Sequence, residues 1–353
     1  MRVILVERRE RSEASLLGEL EELARTMKHE VVGRVEQIRA PDPAYQIGRG
    51  KVAELARLVK ATGAERVIFV NQLTPSQAFK LQKMVGVEVI DRLQLILEIF
   101  YMRAGTPEAK LQVEYARLKY ELPRVRERVL AKLSVERPGL MGGGEYEIRV
   151  HQDAIKRRLN VLKKKLATIA VERAQKRKHR KKRGFRLVAL AGYTNSGKST
   201  LLNALTVGGA EVDDRYFTTL APKTRQLSAS RGILLTDTVG FIEGLPPWMV
   251  EAFKATLEEI YLADLVILVV DGSDEVQDIM RKYRASMEVL REYPVKIITA
   301  LNKIDLLDDG ELEKRLEFLS TLPQPVVPIS ALKGTNLDVL VDTIVASLRG
   351  GDG

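Results

Sequence analysis

The sequence predicts an α/β protein with two mostly parallel, helix-covered sheets separated by an antiparallel helical (coiled-coil) hairpin. Three observations predict it. Short runs rich in β-branched residues alternate with helix-length runs over residues 1–104 and again over 184–353, as in βα units that build parallel sheets. Between them, residues 105–183 space their apolar side chains alternately four and three apart, the repeat of helices packed along a seam. A chain of 353 residues is long enough for two or three domains, each with its own core.

In the first domain, Val3–Val6, Glu30–Ile38, Arg66–Val70 and Val87–Ile90 read as strands. Ser15–Met27, Val52–Ala61 and Ser76–Val85 read as helices between them. In the hairpin, Leu111, Tyr115, Leu118, Leu122, Val125 and Val129 form one seam, and Ile155, Leu159, Leu162, Leu166 and Ile169 the other. Pro123 lies inside the first seam, where the missing N–H and the ring should kink or interrupt the helix. The connection holds Pro138-Gly139-Leu140-Met141-Gly142-Gly143-Gly144, a stretch too glycine-rich to be expected as helix. The third domain resumes the alternation of strand and helix from Phe185 to about residue 348.

Composition excludes several classes of function. There is no cysteine, so disulfides, thiolate catalysis and cysteine zinc sites are ruled out, and a reducing cytoplasm is the expected setting. His29, His151 and His179 are far apart in sequence, which argues against a histidine metal cluster. The longest aliphatic run, Leu265–Val270, falls well short of the ~20 residues a membrane-spanning helix needs. The Val3–Val6 run is likewise too short for a signal peptide, so no stable membrane insertion is expected. Charge is concentrated. Residues 153–183 hold 14 Lys or Arg and two acids, an excess larger than the +10 of the whole chain. Most charge runs are solvated helix faces, but this one ends in Lys176-Arg177-Lys178-His179-Arg180-Lys181-Lys182-Arg183, with no acid to offset like-charge repulsion. It points to a polyanion, nucleic acid ahead of an anionic membrane surface.

The chemistry lies in the third domain. A strand pattern, Phe185–Ala191, runs into Gly192-Tyr193-Thr194-Asn195-Ser196-Gly197-Lys198-Ser199-Thr200, and a helix pattern follows. This is the GxxxxGKS phosphate loop in its required context: backbone N–H groups and a helix N-terminus face the phosphates, Lys198 reaches the outer ones, and Ser199 ligates Mg²⁺. Asn302-Lys303-Ile304-Asp305 follows the strand Val295–Leu301, and its carboxylate can accept from the guanine N1–H and 2-amino group, which adenine lacks. Ser330-Ala331-Leu332 follows another strand and can offer backbone N–H groups to the guanine O6. Asp237-Thr238-Val239-Gly240 ends the strand Gly232–Thr236; Asp237 is placed to hold Mg²⁺ through water, and the Gly240 N–H to meet the γ-phosphate. Phe217-Thr218-Thr219-Leu220 falls where a first switch is expected, with Thr219 the candidate second Mg²⁺ ligand and Thr218 its competitor. Lys198, Thr219 and Gly240 are the candidate catalytic groups. Together these elements predict a P-loop G domain that binds and hydrolyses GTP, in the order shared by translation-factor-related and Ras-like GTPases.

Along its whole length the chain also resembles the HflX-type GTPases. The resemblance rests on the phosphate loop, Phe217-Thr218-Thr219-Leu220 and Asp237-Thr238-Val239-Gly240-Phe241-Ile242. It rests more specifically on Thr74-Pro75-Ser76-Gln77, Val89-Ile90-Asp91-Arg92, Lys110-Leu111-Gln112-Val113-Glu114 and Leu118-Lys119-Tyr120. It implies a cytoplasmic GTPase that binds the large ribosomal subunit, contacts its rRNA through the first two domains, and splits or rescues stalled ribosomes under stress. Where that family carries an RGPGE-type loop, this chain reads Arg137-Pro138-Gly139-Leu140-Met141-Gly142-Gly143-Gly144-Glu145, so that loop's contacts are not carried over. The RNA-contact candidates are Lys163, Lys164, Arg173, Lys176, Arg177, Lys178, Lys181 and Lys182, with Arg49 and Lys51 of Gly48-Arg49-Gly50-Lys51 at a helix start. That last stretch reads first as a glycine turn opening a basic helix, next as an RNA-phosphate contact, and last as a second nucleotide site. A monomer is expected.

Two further readings concern turnover. Ras-like enzymes place a water-orienting glutamine just after the glycine of DxxG, whereas here that residue is Phe241. Low basal turnover is expected, with a partner supplying what is missing, and Trp248 lies in the same second switch. By similarity to related GTPases, Asn195 is placed to help hold a potassium ion; its other reading is a turn-stabilising side chain. The competing functions are an RNA-remodelling factor on free rRNA and a switch whose output is a protein or a peripherally bound membrane.

Overall fold

The computed structural model describes residues 1–127, 129, 142–182, 184–206, 223–230, 232–238, 240–242, 246, 249, 260, 262–291, 295–322 and 325–349, with backbone alone at 142–144, 173, 176–182 and 223. The chain forms two compact units, one of Met1–Met102 with Lys110–Lys165 and the other of Arg103–Ala109 with Leu166–Gly353.

The first unit is built on four parallel strands, β1 (Arg2–Arg9), β2 (Glu30–Ile38), β3 (Arg66–Phe69) and β4 (Glu88–Asp91), in the order β2-β1-β3-β4. Val3, Ile4, Leu5 and Val6 are all fully buried, as expected of a parallel strand covered on both faces. The helix Pro75–Val85 shows how local sequence sets a boundary. Thr74 Oγ1 accepts from the Gln77 N–H at 3.2 Å and Gln77 Oε1 accepts from the Thr74 N–H at 3.0 Å, a capping box with Pro75 in the first turn. Gly86, at φ 79°, closes the other end in the left-handed conformation that glycine adopts without a Cβ penalty. The helix Arg92–Arg103 has no sequence signature of amphipathicity. Leu93, Leu95, Ile96, Leu97, Ile99 and Phe100 are all buried, so it presents apolar residues nearly all round. Asp91 caps it by accepting from the Gln94 N–H at 2.9 Å.

The hairpin follows. The helix Pro107–Glu121 gives way to a 3₁₀ turn at Leu122–Arg124, with Pro123 as the cause of the interruption. The second helix runs over Gly142–Lys182. Glu114 pairs with Arg158 and Glu145 with Arg126, so rising numbers on one arm meet falling numbers on the other: the arms are antiparallel. Val125, Val129, Ile148 and Ile155 form the seam between them. Two expectations are corrected. The triplet Gly142-Gly143-Gly144 is helical and forms the opening turn of this helix, whereas residues 138–141 lie outside the described residues. The first arm also has a second buried face, Val113, Ala116 and Tyr120, beside the heptad positions. Through that face, Tyr120 Oη donates to Asp91 Oδ2 at 2.9 Å, and Arg124 lies 3.6 Å over the Tyr120 ring.

The second unit carries six strands, β5 (Arg186–Gly192), β6 (Lys223–Gln226), β7 (Ile233–Asp237), β8 (Leu265–Asp271), β9 (Ile297–Asn302) and β10 (Val326–Pro328), in the order β10-β9-β8-β5-β7-β6. All pairings are parallel except β6 with β7, an edge strand that the sequence pattern does not reveal. Leu201, Leu202 and Leu205, from the helix after the phosphate loop, pack with Leu340 and Ile344 into the core around Val188, Leu190 and Ile267.

His29 precedes β2, and neither of its ring nitrogens has a hydrogen-bond partner. Burial, then the charges of Arg66 and the N-terminal ammonium, hold its pKa below the usual 6.5, against an opposing pull from Glu65. The folded state therefore favours the neutral ring. Its contribution is complete above pH 6.5 and is lost as pH falls toward the folded pKa, because the unfolded chain takes up the proton first. Urea midpoints measured against pH should fall more steeply below 6.5 for the wild type than for His29→Gln; parallel curves would remove His29 as the cause.

Candidate functional site

Central strand β5 delivers the phosphate loop. Gly192 has φ 144°, and a Cβ there would lie 2.3 Å from the Val269 carbonyl, so only glycine lets the chain turn this close to β8. Asn195 (φ 63°) and Gly197 (φ 91°) are left-handed, and such residues curl a loop so that backbone N–H groups converge on an anion. The helix Lys198–Leu205 starts directly from Gly197 with no acid in its first turn, leaving its positive end for the same anion. The buried hydroxyls of Thr194 and Ser196 have no partner within the chain, as expected of groups that meet a ligand.

Lys198 is buried and folds across the loop, its Nζ donating to Gly192 O at 3.1 Å and Tyr193 O at 2.7 Å. Burial pushes its pKa down to about 8; Asp237 opposes the fall and Lys303 adds to it. Ser199 Oγ donates to Asp237 Oδ2 at 2.7 Å, which brings the two candidate Mg²⁺ ligands together. An all-oxygen pair of hydroxyl and carboxylate at the edge of a phosphate loop fits Mg²⁺, a hard cation. When bound, the ion would neutralise phosphate charge. Gly240 is tightly enclosed: a Cβ would lie 2.9 Å from Thr194 Cα and 3.0 Å from Lys198 Nζ. The following residue, Phe241, ties this turn to the loop, its N–H donating to Gly192 O and its carbonyl accepting from the Thr194 N–H, both at 2.9 Å. Its side chain is buried.

At the base end, Asn302 Nδ2 donates to Ser196 O at 2.9 Å and Asn302 Oδ1 accepts from the Ala331 N–H at 2.9 Å. The Ala331 amide expected at the guanine O6 is thus bonded to Asn302 in this structure. Ser330 Oγ donates to Asp305 Oδ1 at 2.6 Å and accepts from the Lys333 N–H at 3.0 Å, which orients the exposed carboxylate. Thr238, expected as a nucleotide contact, uses its hydroxyl to donate to Leu190 O at 2.7 Å and braces the sheet. The Leu332 side chain is exposed.

Gly192–Thr200, Asp237, Gly240, Asn302, Lys303, Asp305 and Ser330–Leu332 therefore lie along the carboxyl ends of the parallel strands, where open α/β sheets bind ligands. Phe217, Thr218, Thr219, Val239 and Trp248 lie outside the described residues, as do the side chains of Arg173, Lys176, Arg177, Lys178, Lys181 and Lys182. Lys163 and Lys164 are exposed on the long helix; Arg49 is exposed and Lys51 pairs with Glu54 at 2.9 Å in the first unit. One residue at the site escaped the sequence reading. Asp271, at the end of β8, meets Lys303 at 2.6 Å, and the only signal for it was an Asp-Gly-Ser turn after an aliphatic strand.

A phosphate loop alone accepts any nucleoside triphosphate. What narrows the choice is the carboxylate of Asp305, oriented by Ser330 and carried on a loop that Asn302 fastens to the phosphate cradle. The molecule is a P-loop GTPase. Three family models match it in succession: "GTP-binding GTPase N-terminal" over residues 14–101, "GTP-binding GTPase Middle Region" over 103–180 and "50S ribosome-binding GTPase" over 187–303. It is 46% identical to GTPase HflX of Thermococcus kodakarensis over 98% of this chain and 80% of that protein. It is 44% identical to GTPase HflX of Methanocaldococcus jannaschii over 94% and 83%. The chain belongs to the HflX family of GTPases. Among solved structures it is similar to SsGBP in complex with GDP, at 31% identity, 99% coverage of both chains and TM-score 0.59. It is also similar to a GTP-binding protein from Sulfolobus solfataricus in complex with GDP, at 30% identity, 99% coverage of both chains and TM-score 0.52.

Asp305→Asn should weaken GTP binding and move preference toward xanthosine triphosphate, since an amide presents a donor to the guanine 2-amino group. Hydrogen bonds to charged groups are worth about 1.5–3 kcal/mol each, so a loss of about tenfold or more is expected in titration calorimetry. Unchanged GTP affinity would remove Asp305 from base recognition.

Proposed function

We propose that this GTPase acts on the large ribosomal subunit in the cytoplasm, as a monomer, splitting or rescuing stalled ribosomes under stress. The observation that carries the proposal is that the single helix Gly142–Lys182 continues from its seam residues Ile148 and Ile155 into the basic segment. A helix that carries so many lysines and arginines in one segment suits the phosphate backbone of rRNA. The family model that matches the G domain is described as a 50S ribosome-binding GTPase, which supports the same partner. Among the described residues no helix is long and apolar enough to cross a membrane.

Co-sedimentation with purified large subunits tests the proposal. Binding should be stronger with a GTP analogue than with GDP, and log affinity should fall with log salt by about 0.7–0.9 per phosphate contact. Replacing Lys176, Arg177, Lys178, Lys181 and Lys182 with glutamine should flatten that slope and leave GTP affinity unchanged. An unaltered slope would make the run a solvated face; equal binding to deproteinised RNA would favour the RNA-remodelling reading.

Hydrolysis should be slow until the partner arrives. The residue after Gly240 is Phe241, whose buried ring cannot orient a water and whose backbone is committed to the phosphate loop. Lys198, the loop amides and a Mg²⁺ held by Ser199 and, through water, by Asp237 would stabilise charge on the phosphates, but none of them would position the nucleophile. Asn195, exposed and left-handed in the cradle, is where a potassium ion would add charge stabilisation. Steady-state phosphate release should be low for the free protein, markedly higher with large subunits, and higher in potassium than in sodium. A free enzyme already at its ribosome-stimulated rate would defeat the reading of Phe241.

A further inference from the structure

The turn leaving β8, Asp271-Gly272-Ser273-Asp274, touches the base loop yet belongs to none of the GTPase motifs. Asp271 Oδ2 lies 2.6 Å from Lys303 Nζ, and the pair is mostly shielded, at 12% and 25% side-chain exposure. The other carboxylate oxygen, Oδ1, accepts from Ser273 twice, from the N–H at 3.0 Å and the hydroxyl at 2.6 Å. The carboxylate is thus oriented before it meets the lysine. The turn is also pressed against the base loop itself. The Gly272 N–H donates to Asn302 O at 2.7 Å, and a Cβ on Gly272 would lie 2.8 Å from that oxygen. From further along the chain, Arg315 Nε donates to Asp274 O at 3.3 Å and Lys282 Nζ meets Asp274 Oδ2 at 2.7 Å, which fastens the turn to two helices.

Lys303 needs such a partner. It stands between Asn302 and Asp305 with φ 66°, a left-handed conformation that a lysine holds only where its surroundings impose it. Its backbone therefore sets the direction in which the chain carries Asp305 away from Asn302. Its ammonium also lies close enough to Lys198 for the two cations to oppose each other.

We infer that Asp271 is a positioning residue for guanine recognition: by pairing with Lys303 it holds the base loop in the shape that presents Asp305 to the base. A charge-assisted bond in a shielded site is the strong kind, and it acts on a residue two places from the one that reads the base. The carboxylate itself need not touch the nucleotide.

The test is a double-mutant cycle on the full chain with Mg²⁺, read by GDP affinity in titration calorimetry and by GTP turnover. Asp271→Asn keeps the side-chain size and the acceptor for Ser273 but removes the charge. It should weaken GDP binding about tenfold and raise KM for GTP, with kcat retained at saturation. In a Lys303→Met background, Asp271→Asn should add little further loss, because the two substitutions remove one interaction. Ser273→Ala, which only loosens the carboxylate, should weaken GDP binding about threefold in the same direction. Unchanged or tighter GDP binding in Asp271→Asn would overturn the inference, as would an equal loss in both Lys303 backgrounds, which would place the effect in the fold. If Asp271→Asn does not fold, unchanged affinity in Ser273→Ala overturns it.

Discussion

The Asn302 side chain donates to the Ser196 carbonyl and accepts from the Ala331 amide, and those two bonds tie the phosphate loop, the base loop and the segment after β10 to one another. Asn302 is buried, so each of its amide groups would be costly if left unpaired, at about 1–3 kcal/mol for a buried neutral group. The rest of the site follows from this brace. Gly197 must lack a side chain because a Cβ would fall 2.2 Å from Asn302 Nδ2. Ser330, the neighbour of Ala331, is thereby placed to orient Asp305. The phosphate loop and the base loop are consequently parts of one hydrogen-bonded structure.

Electrostatics adds a second constraint. A lysine buried in a phosphate loop pays a large desolvation penalty, and a neighbouring carboxylate only partly offsets it. For Lys198 burial wins, which is why its pKa falls to about 8 despite Asp237. The lysine is still mostly protonated near neutral pH, and phosphates entering the cradle would restore the charge balance that burial upset. Lys303, the other cation nearby, is paired with Asp271, whereas Lys198 donates to the carbonyls of Gly192 and Tyr193.

In the first unit a buried carboxylate plays a comparable organising part. Asp91 is fully buried at the end of β4 and accepts from the amides of Leu73 and Gln94 and from the Tyr120 hydroxyl. A charge this deep is tolerable only when hydrogen-bonded on several sides. Its donors come from the loop after β3, the helix it caps and the first arm of the hairpin, so one residue joins sheet, helix and hairpin. This gives a physical meaning to the Val89-Ile90-Asp91-Arg92 and Leu118-Lys119-Tyr120 strings: Asp91 and Tyr120 are bonded to each other, and Arg92 pairs with Glu19 at 2.9 Å.

The strands, most helices, the phosphate loop and the base loop were legible because each depends on residues close together in the chain: β-branched runs, glycines where a Cβ cannot fit, a threonine and a glutamine three apart. The helix Arg92–Arg103 was not legible, since burial on nearly all sides erases the periodicity that marks a helix. Nor was the edge strand β6, whose four residues acquire their meaning by pairing with β7. The heptad spacing announced one face of the first hairpin arm, whereas its second face takes its meaning from a distant partner, Asp91, which accepts from the Tyr120 hydroxyl. At the site, sequence marked the residues expected to meet phosphate and guanine. The structure alone decided that Asn302 braces three segments, that Thr238 serves the sheet and that Asp271 holds Lys303. Those are side-chain bonds, to backbone or to another side chain, up to 106 positions apart, and no local pattern specifies a partner that the folding of the sheet must bring into reach.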